Sequence, residues 1–306
     1  MVTEDVAQCP LCTSSRMEAW RSVPATWQRD TGVCAISRCL TCGHRYLSRR
    51  VPETDAAKLY EGYTGQYWSS DPGMRLLWRL QAGYRASRLV RTCPGAASVL
   101  DVGSGMPVFA RRLRVRYSIP RVESLDVLSP EMLHELREID CEAVHHNVLL
   151  NEFAKGEARY DVVTAYHSLE HSYDPAQFLG VLNTLLEQGG NLVLGVPHFD
   201  HVGLRVFGAT HTSFHAPYHL HFFNVLTLRR LLKEAGFGVD RVETEWFFSS
   251  VNSATSLLTR LGMRELSRPR LGLTLPFLLV WPLAAIAEKV CPLGGCVLIT
   301  ARKLRD

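Results

Sequence analysis

From Ser98 onward, short apolar runs alternate with longer stretches of helical periodicity. The runs predict seven strands, over residues 98–102, 122–126, 143–147, 160–166, 191–196, 239–248 and 296–301. The periodic stretches predict helices over residues 74–91, 108–116, 175–188 and 227–235, the last of which is closed by Gly236. Strands that alternate with helices pair in parallel, because each crossover returns the chain to the same end of the sheet. The order therefore predicts an α/β fold with helices on both faces of a mostly parallel sheet.

The chain divides into regions of different character. Residues 1–50 are rich in cysteine, and residues 51–95 carry aromatic side chains and one helical stretch. We predict a small N-terminal module, then a helical linker or lid, then a main domain over residues 96–306. Within that domain, residues 201–225 are predicted to form an insertion over the active site. With 306 residues, 46% of them hydrophobic, the chain can bury a full core.

The charge of the chain is nearly balanced. Its formal net charge is +4, and most of its basic residues are arginines scattered among acids. This pattern is typical of a solvated surface, so we expect no nucleic-acid partner. The N-terminal residues lack the basic and apolar segments of a secretory signal, so we expect a cytoplasmic protein.

The longest apolar run covers residues 273–287 and is interrupted by Pro276 and Pro282. It is shorter than the ~18–20 residues that a membrane-spanning helix needs. We interpret it as a segment packed in the core. The alternative is a contact with a membrane surface, which would make the protein membrane-peripheral.

Two C-x-x-C pairs stand near the N-terminus, and their members are Cys9, Cys12, Cys39 and Cys42. Four thiolates fit a closed tetrahedral zinc site, which leaves no open position for catalysis. We therefore predict a structural zinc ion, with Cys34 and His44 as substitute ligands. Nucleic-acid binding by this segment is the functional alternative, but no basic and aromatic stripe accompanies it.

A glycine turn follows the first predicted strand of the sheet. Asp101 is followed by Gly103, Ser104 and Gly105, and Asp126 stands at the end of the next strand. Glycines let the backbone approach a ligand closely, and a carboxylate can accept both hydroxyls of a ribose. A dinucleotide site would need a third glycine, which is absent here. The additional acid at position 101 suits the amino group of S-adenosylmethionine.

These motifs resemble the class I S-adenosylmethionine-dependent methyltransferases, and in particular a bacterial branch with an N-terminal zinc-binding segment. The resemblance rests on residues 99–105, 125–126, 160–164, 169–171, 174–175, 189–190 and 231–237. It implies a Rossmann-like, seven-stranded methyltransferase sheet joined to a small zinc-ribbon module. The sequence departs from the family at Pro107, where a further glycine is usual.

The resemblance also implies roles for individual residues. Asp101 and the glycine turn would hold the methionine part, and Asp126 would hold the ribose. Asn147 stands at the position that, in the family, lies beside the adenine. The segment after the fourth strand would face the methionine end, through Tyr166 and His167.

Methyl transfer to a hydroxyl or an acidic carbon needs a base, for which histidine is suited. Six histidines fall between residues 198 and 221, and His167 and His171 follow the fourth strand. We expect this group to line a pocket beside the cofactor; a histidine metal site is an open alternative. Residues 216–223 resemble a segment of zinc-carrying sugar C-methyltransferases, with Tyr218 and His221 at matching positions and Leu220 in place of an acid. This implies His221 as base, with His219 and His171 as alternatives.

The sequence therefore predicts a biosynthetic enzyme that moves a methyl group from S-adenosylmethionine to an oxygen or carbon of a small molecule. A sugar, a quinone-type compound or a natural-product intermediate would be the acceptor. One alternative is a membrane-surface methyltransferase acting on a lipid-linked substrate. The other is a non-catalytic protein that binds S-adenosylmethionine and zinc.

Overall fold

The computed structural model describes residues 3–25, 32–60, 72–138, 143–263, 275–290 and 295–305. The N-terminal segment is built from short antiparallel strands. They are β1 (Glu4–Asp5), β2 (Met17–Pro24), β3 (Val33–Cys39), β4 (Arg45–Leu47) and β5 (Arg49–Arg50). β2, β3 and β4 are neighbours in one sheet, and β1 pairs with β5. Two helices follow, α1 (Ala56–Tyr60) and α2 (Pro72–Thr92).

A seven-stranded sheet forms the centre of the molecule. Its strands are β6 (Ser98–Val102), β7 (Arg121–Leu125), β8 (Val144–His146), β9 (Tyr160–Tyr166), β10 (Leu186–Pro197), β12 (Phe237–Thr244) and β13 (Cys296–Lys303). The strand order is β12-β13-β10-β9-β6-β7-β8. The five strands from β10 to β8 are parallel, and β13 is antiparallel to both of its neighbours. The predicted α/β fold with a mostly parallel sheet is confirmed.

Eight further α-helices lie along the described residues, and some of them cover the two faces of this sheet. They are α3 (Val108–Tyr117), α4 (Pro130–Glu138), α5 (Leu150–Phe153), α6 (Pro175–Thr184), α7 (Val202–Phe207), α8 (Val225–Glu234), α9 (Trp246–Arg260) and α10 (Leu275–Val290). Leu194 of β10 packs in the cluster that contains α6 and α8, whereas its neighbour Val193 packs in the cluster that contains α2 and α3. Alternate residues of the strand therefore bury opposite faces.

Two predicted boundaries are wrong. The helix from Pro175 ends at Thr184, and Leu186 already belongs to β10, which is irregular before Asn191. The strand predicted over residues 239–248 ends at Thr244, and Trp246 begins α9. Aromatic runs suit strands and buried helices equally, so periodicity alone could not separate them. The predicted end of α8 is confirmed, since Gly236 follows it with φ +79°.

The predicted linker helix packs as part of the main domain. Ala86 and Leu89 of α2 share a buried cluster with Ala110 and Leu113 of α3. Residues 61–71, where much of the predicted lid falls, lie outside the described residues. The three-region division stays a prediction.

The core-packed interpretation of residues 273–287 is wrong for most side chains. Leu275, Leu279 and Leu283 of α10 are 65–69% exposed, whereas Phe277 is buried against α9. The sequence is apolar on both faces of this helix, so hydropathy could not tell the packed face from the exposed one. No helix in the described part of the chain is long and apolar enough to cross a membrane.

A further strand joins the two parts of the molecule. β11 (His221–Phe222) pairs with β4 and becomes the fourth strand of the N-terminal sheet. Residues of the predicted insertion thus complete the predicted N-terminal module.

Candidate active site

The turn after β6 requires glycine. Gly103 has φ +68°, and a side-chain carbon placed on it would lie 2.1 Å from Oγ of Ser168. Its N–H donates to the carbonyl of Leu125 at 2.8 Å, which fixes the turn against β7. Gly105 has φ +52° and open space where its side chain would be. The half-buried Ser104 hydroxyl donates to the Gly105 carbonyl at 3.1 Å. A ligand can therefore approach the backbone at Gly105.

Asp126 is anchored by backbone amides at the end of β7. Gly105 donates its N–H to Oδ2 and Val127 donates to Oδ1, both at 2.7 Å. Burial raises the pKa of Asp126 although these amides lower it. Each carboxylate oxygen retains a second lone pair, which can accept a ribose hydroxyl. Asn147 lies nearby, because its Oδ1 accepts from the Leu128 N–H at 2.7 Å.

Asp101 is buried at the end of β6. The Thr164 hydroxyl donates to its Oδ1 at 2.6 Å. Burial raises the pKa of Asp101 to about 7, although Thr164 and Arg85 act in the opposite direction. An ammonium group beside this carboxylate would compensate its charge and lower that pKa.

A buried chain of charged groups runs behind the turn. The Arg85 Nε donates to Oε1 of Glu245 at 2.7 Å. His167 Nε2 lies 3.2 Å from Oε2 of Glu245, and its Nδ1 lies 3.3 Å from Oε1 of Glu170. Burial alone would lower the pKa of His167, but the two carboxylates outweigh burial and raise it. Burial raises the pKa of Glu245, but Arg85 and His167 together lower it to about 2.

Two predicted cofactor residues belong to this chain of charges. Tyr166 is buried, with the Arg85 guanidinium 4.1 Å from its ring centroid. His167 has φ +56°, a left-handed conformation held by its N–H bond to the Gly195 carbonyl. Sequence reasoning missed Arg85, Glu170 and Glu245 as site residues. Glu170 lies within one of the motifs that carry the resemblance. Arg85 and Glu245 are far apart in the sequence and form their ion pair only in the folded protein, so no local pattern marks them.

Three of the predicted catalytic residues lie together at the same edge. Nδ1 of His171 is 3.0 Å from the carbonyl oxygen of Tyr218 and 3.2 Å from the Tyr60 hydroxyl. Nδ1 of His219 is 2.9 Å from the carbonyl oxygen of Ser213. Burial lowers the pKa values of both histidines, so both are neutral at pH 7. This group follows Ser168, whose hydroxyl donates to the Val102 carbonyl at 3.1 Å, so it lies at the same edge of the sheet as the glycine turn and Asp126.

The sequence match decides the family. Residues 78–242, more than half of the chain, match the model of a methyltransferase domain. The chain belongs to the methyltransferase domain family. The predicted enzyme class, an S-adenosylmethionine-dependent methyltransferase, is thereby confirmed. Among curated proteins, no sequence matches the chain.

Solved structures share the fold of this methyltransferase. It is similar to 1,6-didemethyltoxoflavin-N1-methyltransferase from Burkholderia thailandensis, with 17% identity and a TM-score of 0.50 over 92% of this chain and 100% of that one. A chain in the complex of the Haloferax volcanii Trm112 methyltransferase activator shows 17% identity and a TM-score of 0.53, over 83% and 95% of the two chains. The [4+2]-cyclase SpnF shows 20% identity and a TM-score of 0.50, over 82% and 93%.

The ring of His221 makes different contacts from those of the other predicted catalytic residues of the methyltransferase. Its Nδ1 is 3.0 Å from Nε2 of His44, and its Nε2 is 2.8 Å from the carbonyl oxygen of Ser172. Burial lowers the pKa of His221 to about 4. Both ring nitrogens are already engaged between the N-terminal sheet and the main domain. The role of base for His221 stays a prediction that this geometry does not favour.

The histidines between residues 198 and 221 do not all contact one another, and the expectation that they line one pocket stays a prediction. All six are at most 6% exposed. His198, His201 and His211 form a separate buried group, in which the rings of His201 and His211 lie 4.8 Å apart.

Four cysteines of the methyltransferase converge at the N-terminal sheet. Sγ of Cys9 lies 3.6 Å from that of Cys42, and Sγ of Cys12 lies 3.5 Å from that of Cys39. Zinc bonds of roughly 2.3 Å in a tetrahedron put sulfurs roughly 3.8 Å apart, so the set fits a zinc ion. The substitute ligands are not part of this set: Cys34 stands on β3 opposite Val23, and His44 contacts His221.

Proposed function

We propose that the protein holds S-adenosylmethionine along the carboxyl ends of β6, β7 and β8. Asp101 and the turn from Gly103 to Gly105 bind the methionine part, Asp126 binds the ribose, and Asn147 lies beside the adenine. The observation that carries this proposal is the pairing of Gly105 with Asp126. The Gly105 N–H orients the carboxylate, and the open space at Gly105 admits the ligand.

We further propose that the methyl group passes to an oxygen or a carbon of a small-molecule acceptor. The acceptor end of the site is the group of Glu170, His171 and His219, which stands beside the ribose end. Neutral histidines and a buried carboxylate are suited to removing a proton from an acceptor hydroxyl. We assign proton removal to this group because both nitrogens of His221 are engaged.

Calorimetry tests the cofactor site. We expect S-adenosylmethionine to bind the wild-type protein and to lose at least about tenfold in affinity in Asp126→Ala, because two ribose hydrogen bonds are lost. Asp240→Ala, in an exposed ion pair with Arg302, is the matched control and should bind normally. Absence of binding in the wild-type protein would overturn the proposal. Acceptor pools can then be screened for products heavier by one methyl group.

For the four cysteines we propose one structural zinc ion. Their sulfur spacing supports this, as does their position next to Tyr46 and Met17 in a small cluster. Zinc would here stabilise a segment that has few other buried side chains, since small folds lack a core large enough for independent stability. No step of methyl transfer passes through this site.

A second candidate function is methyl transfer at a membrane surface. Leu275, Leu279, Leu283, Ile286 and Val290 form an exposed stripe along α10, at helical spacing and at least 61% exposed each. An apolar stripe of this kind can lie in the headgroup region of a bilayer. This supports a lipid-linked acceptor.

Cosedimentation with vesicles of anionic phospholipid tests this second function. Under it we expect the wild-type protein to sediment, and Leu279→Glu with Leu283→Glu to remain in solution. Leu226→Glu, on an exposed site of α8, is the control and should behave as wild type. Wild-type protein that stays in solution would contradict the membrane-surface function, and the small-molecule acceptor would remain as the proposal.

A further inference from the structure

Two histidines converge on one buried carboxylate beside the predicted ribose site. A ring nitrogen of His171, a ring nitrogen of His219 and a carboxylate oxygen of Glu170 all lie within 4.8 Å of one another. Nε2 of His219 is 3.9 Å from Oε1 of Glu170. Ligand atoms around one metal ion, at bonds of roughly 2.1 Å, stand roughly 3–3.5 Å apart. A small contraction would therefore turn this group into a set of metal ligands.

The hydrogen bonds of both histidines orient them for coordination. Nδ1 of His219 bonds to the carbonyl of Ser213, and Nδ1 of His171 bonds to the carbonyl of Tyr218. Histidines that bind metals usually donate their other N–H to a carbonyl in this way, which fixes the ring and leaves Nε2 as ligand.

Glu170 supplies an independent observation. Its side chain is fully buried, and its Oε2 has no hydrogen-bond partner among the residues that the structure describes. An unpaired buried carboxylate oxygen destabilises the folded protein. Arg85 of the buried chain of charges is engaged by Glu245, and His167 faces the other oxygen of Glu170, Oε1. A cation at Glu170 would satisfy this oxygen.

We propose that Glu170, His171 and His219 bind a divalent transition-metal cation. Two imidazoles and one carboxylate suit zinc, iron, cobalt or nickel, and they leave coordination positions open. The neighbouring set of His167, Glu245 and Cys296 is less suited. Arg85 already compensates Glu245, and burial raises the pKa of the Cys296 thiol well above its usual value.

The open coordination positions allow the cation to bind the acceptor of the methyl group, a role that rests on the proposed function. With the cation bound, Glu170, His171 and His219 act as its ligands and no longer as the base. An acceptor hydroxyl that coordinates the cation becomes more acidic, and its proton passes to solvent. The oxygen then attacks the methyl carbon, so that an O–C bond forms, the S–CH₃ bond breaks and S-adenosylhomocysteine leaves. Because Arg85 compensates Glu245, a divalent cation on Glu170 leaves positive charge in excess, which suits an acceptor oxygen bound as an anion. The site thus points to a hydroxylated acceptor.

Cobalt titration of protein that carries one equivalent of zinc, which the four thiolates bind first, tests the site without reference to activity. We expect one Co²⁺ per chain beyond the zinc, with d–d absorption and no thiolate charge-transfer band. Glu170→Gln and His219→Gln should each weaken Co²⁺ binding at least about tenfold, while exposed His134→Gln should not. Thermal melts show whether each variant is folded.

The wild-type titration keeps the proposal falsifiable even if a variant fails to fold. Wild-type protein that takes up no Co²⁺ beyond the cysteine site, or variants that are folded and bind Co²⁺ normally, would overturn the metal site. Calorimetry with S-adenosylmethionine separates the two proposals. Cofactor binding without Co²⁺ binding removes only the metal site, and Co²⁺ binding without cofactor binding removes only the proposed function.

Discussion

Nδ1 of His221 lies 3.0 Å from Nε2 of His44, in a buried contact between the main domain and the N-terminal sheet. His44 belongs to the segment that carries the four cysteines, and His221 belongs to β11. The contact therefore ties the cysteine cluster to the strand that approaches the active site. Together with the Ser172 carbonyl at Nε2, it engages both ring nitrogens of the predicted base.

We expect His221→Ala to destabilise the protein by about 1–3 kcal/mol, because His44 and the Ser172 carbonyl lose a buried partner. Urea unfolding measures this effect. His44→Ala should cost a similar amount, and the double variant should cost less than the sum of the two. The exposed His134→Ala is the control and should unfold as wild type. An unchanged stability in His221→Ala, together with lost turnover, would instead support His221 as base.

Gly103→Ala should abolish cofactor binding. The new methyl group would meet Ser168 Oγ at 2.1 Å, in a left-handed conformation that alanine disfavours. We expect a loss of about 1–3 kcal/mol in stability as well. Calorimetry and urea unfolding measure the two effects. Gly180→Ala, in a helix with no atom within 4 Å, is the matched control and should be neutral or slightly stabilising. Tight cofactor binding by Gly103→Ala would contradict the assigned turn.

Asp101→Asn should stabilise the cofactor-free protein at alkaline pH while weakening cofactor binding. The folded-state pKa of Asp101 is about 7, above its ordinary value of 3.8. Ionising it in the folded protein therefore costs stability, and the cost grows from about pH 4 until it is complete above pH 7, at up to about 4 kcal/mol. The increase in the free energy of unfolding that Asp101→Asn brings should thus be largest at pH 8 and small near pH 4.

Thermal unfolding at pH 8 and pH 5 checks the Asp101 prediction. Asn retains an oxygen that can accept from Thr164, so the comparison isolates the charge. The exposed Asp240→Asn serves as control, with no pH-dependent gain expected. Equal unfolding midpoints for Asp101→Asn and wild type at pH 8 would show that the buried, ionised carboxylate does not destabilise the folded protein.

Cys39→Ser should lower the zinc content of the purified protein and destabilise the N-terminal sheet. Cys39 is fully buried in the four-cysteine group, so its loss removes one of four ligands. Cys34→Ser is the matched control, because Cys34 lies outside that group. Elemental analysis should give about one zinc per chain for wild type and Cys34→Ser. Wild-type protein without zinc would rule the site out.

The central strands of the sheet were predictable because they are mostly buried and read as apolar runs. The turn at Gly103 was predictable because its left-handed backbone conformation favours glycine, so the residue type itself marks the turn. Helix α9 was missed because its aromatic start, Trp246 to Phe248, has no period that separates it from a strand. The exposed face of α10 was missed because composition does not reveal which face packs.

The candidate site was predictable where its residues are close in sequence. Asp101, Gly103 and Gly105 follow one strand, and the four cysteines form two local pairs. Glu245 and Arg85 could not be inferred, because they are 160 residues apart and gain meaning only as an ion pair beside His167. For the histidines, closeness in sequence was misleading. They are neighbours in sequence, yet His171 and His219 face Glu170 whereas His221 faces His44.

Strand β11 gives the N-terminal sheet a high contact order. His44 and His221 are 177 residues apart, and the strands of the main sheet up to β10 lie between them in the chain. During synthesis, β4 is therefore made long before its outer partner exists, and its edge stays open until then. The N-terminal segment cannot complete its sheet alone, so in evolution it would have to be gained or lost together with the strand that closes it.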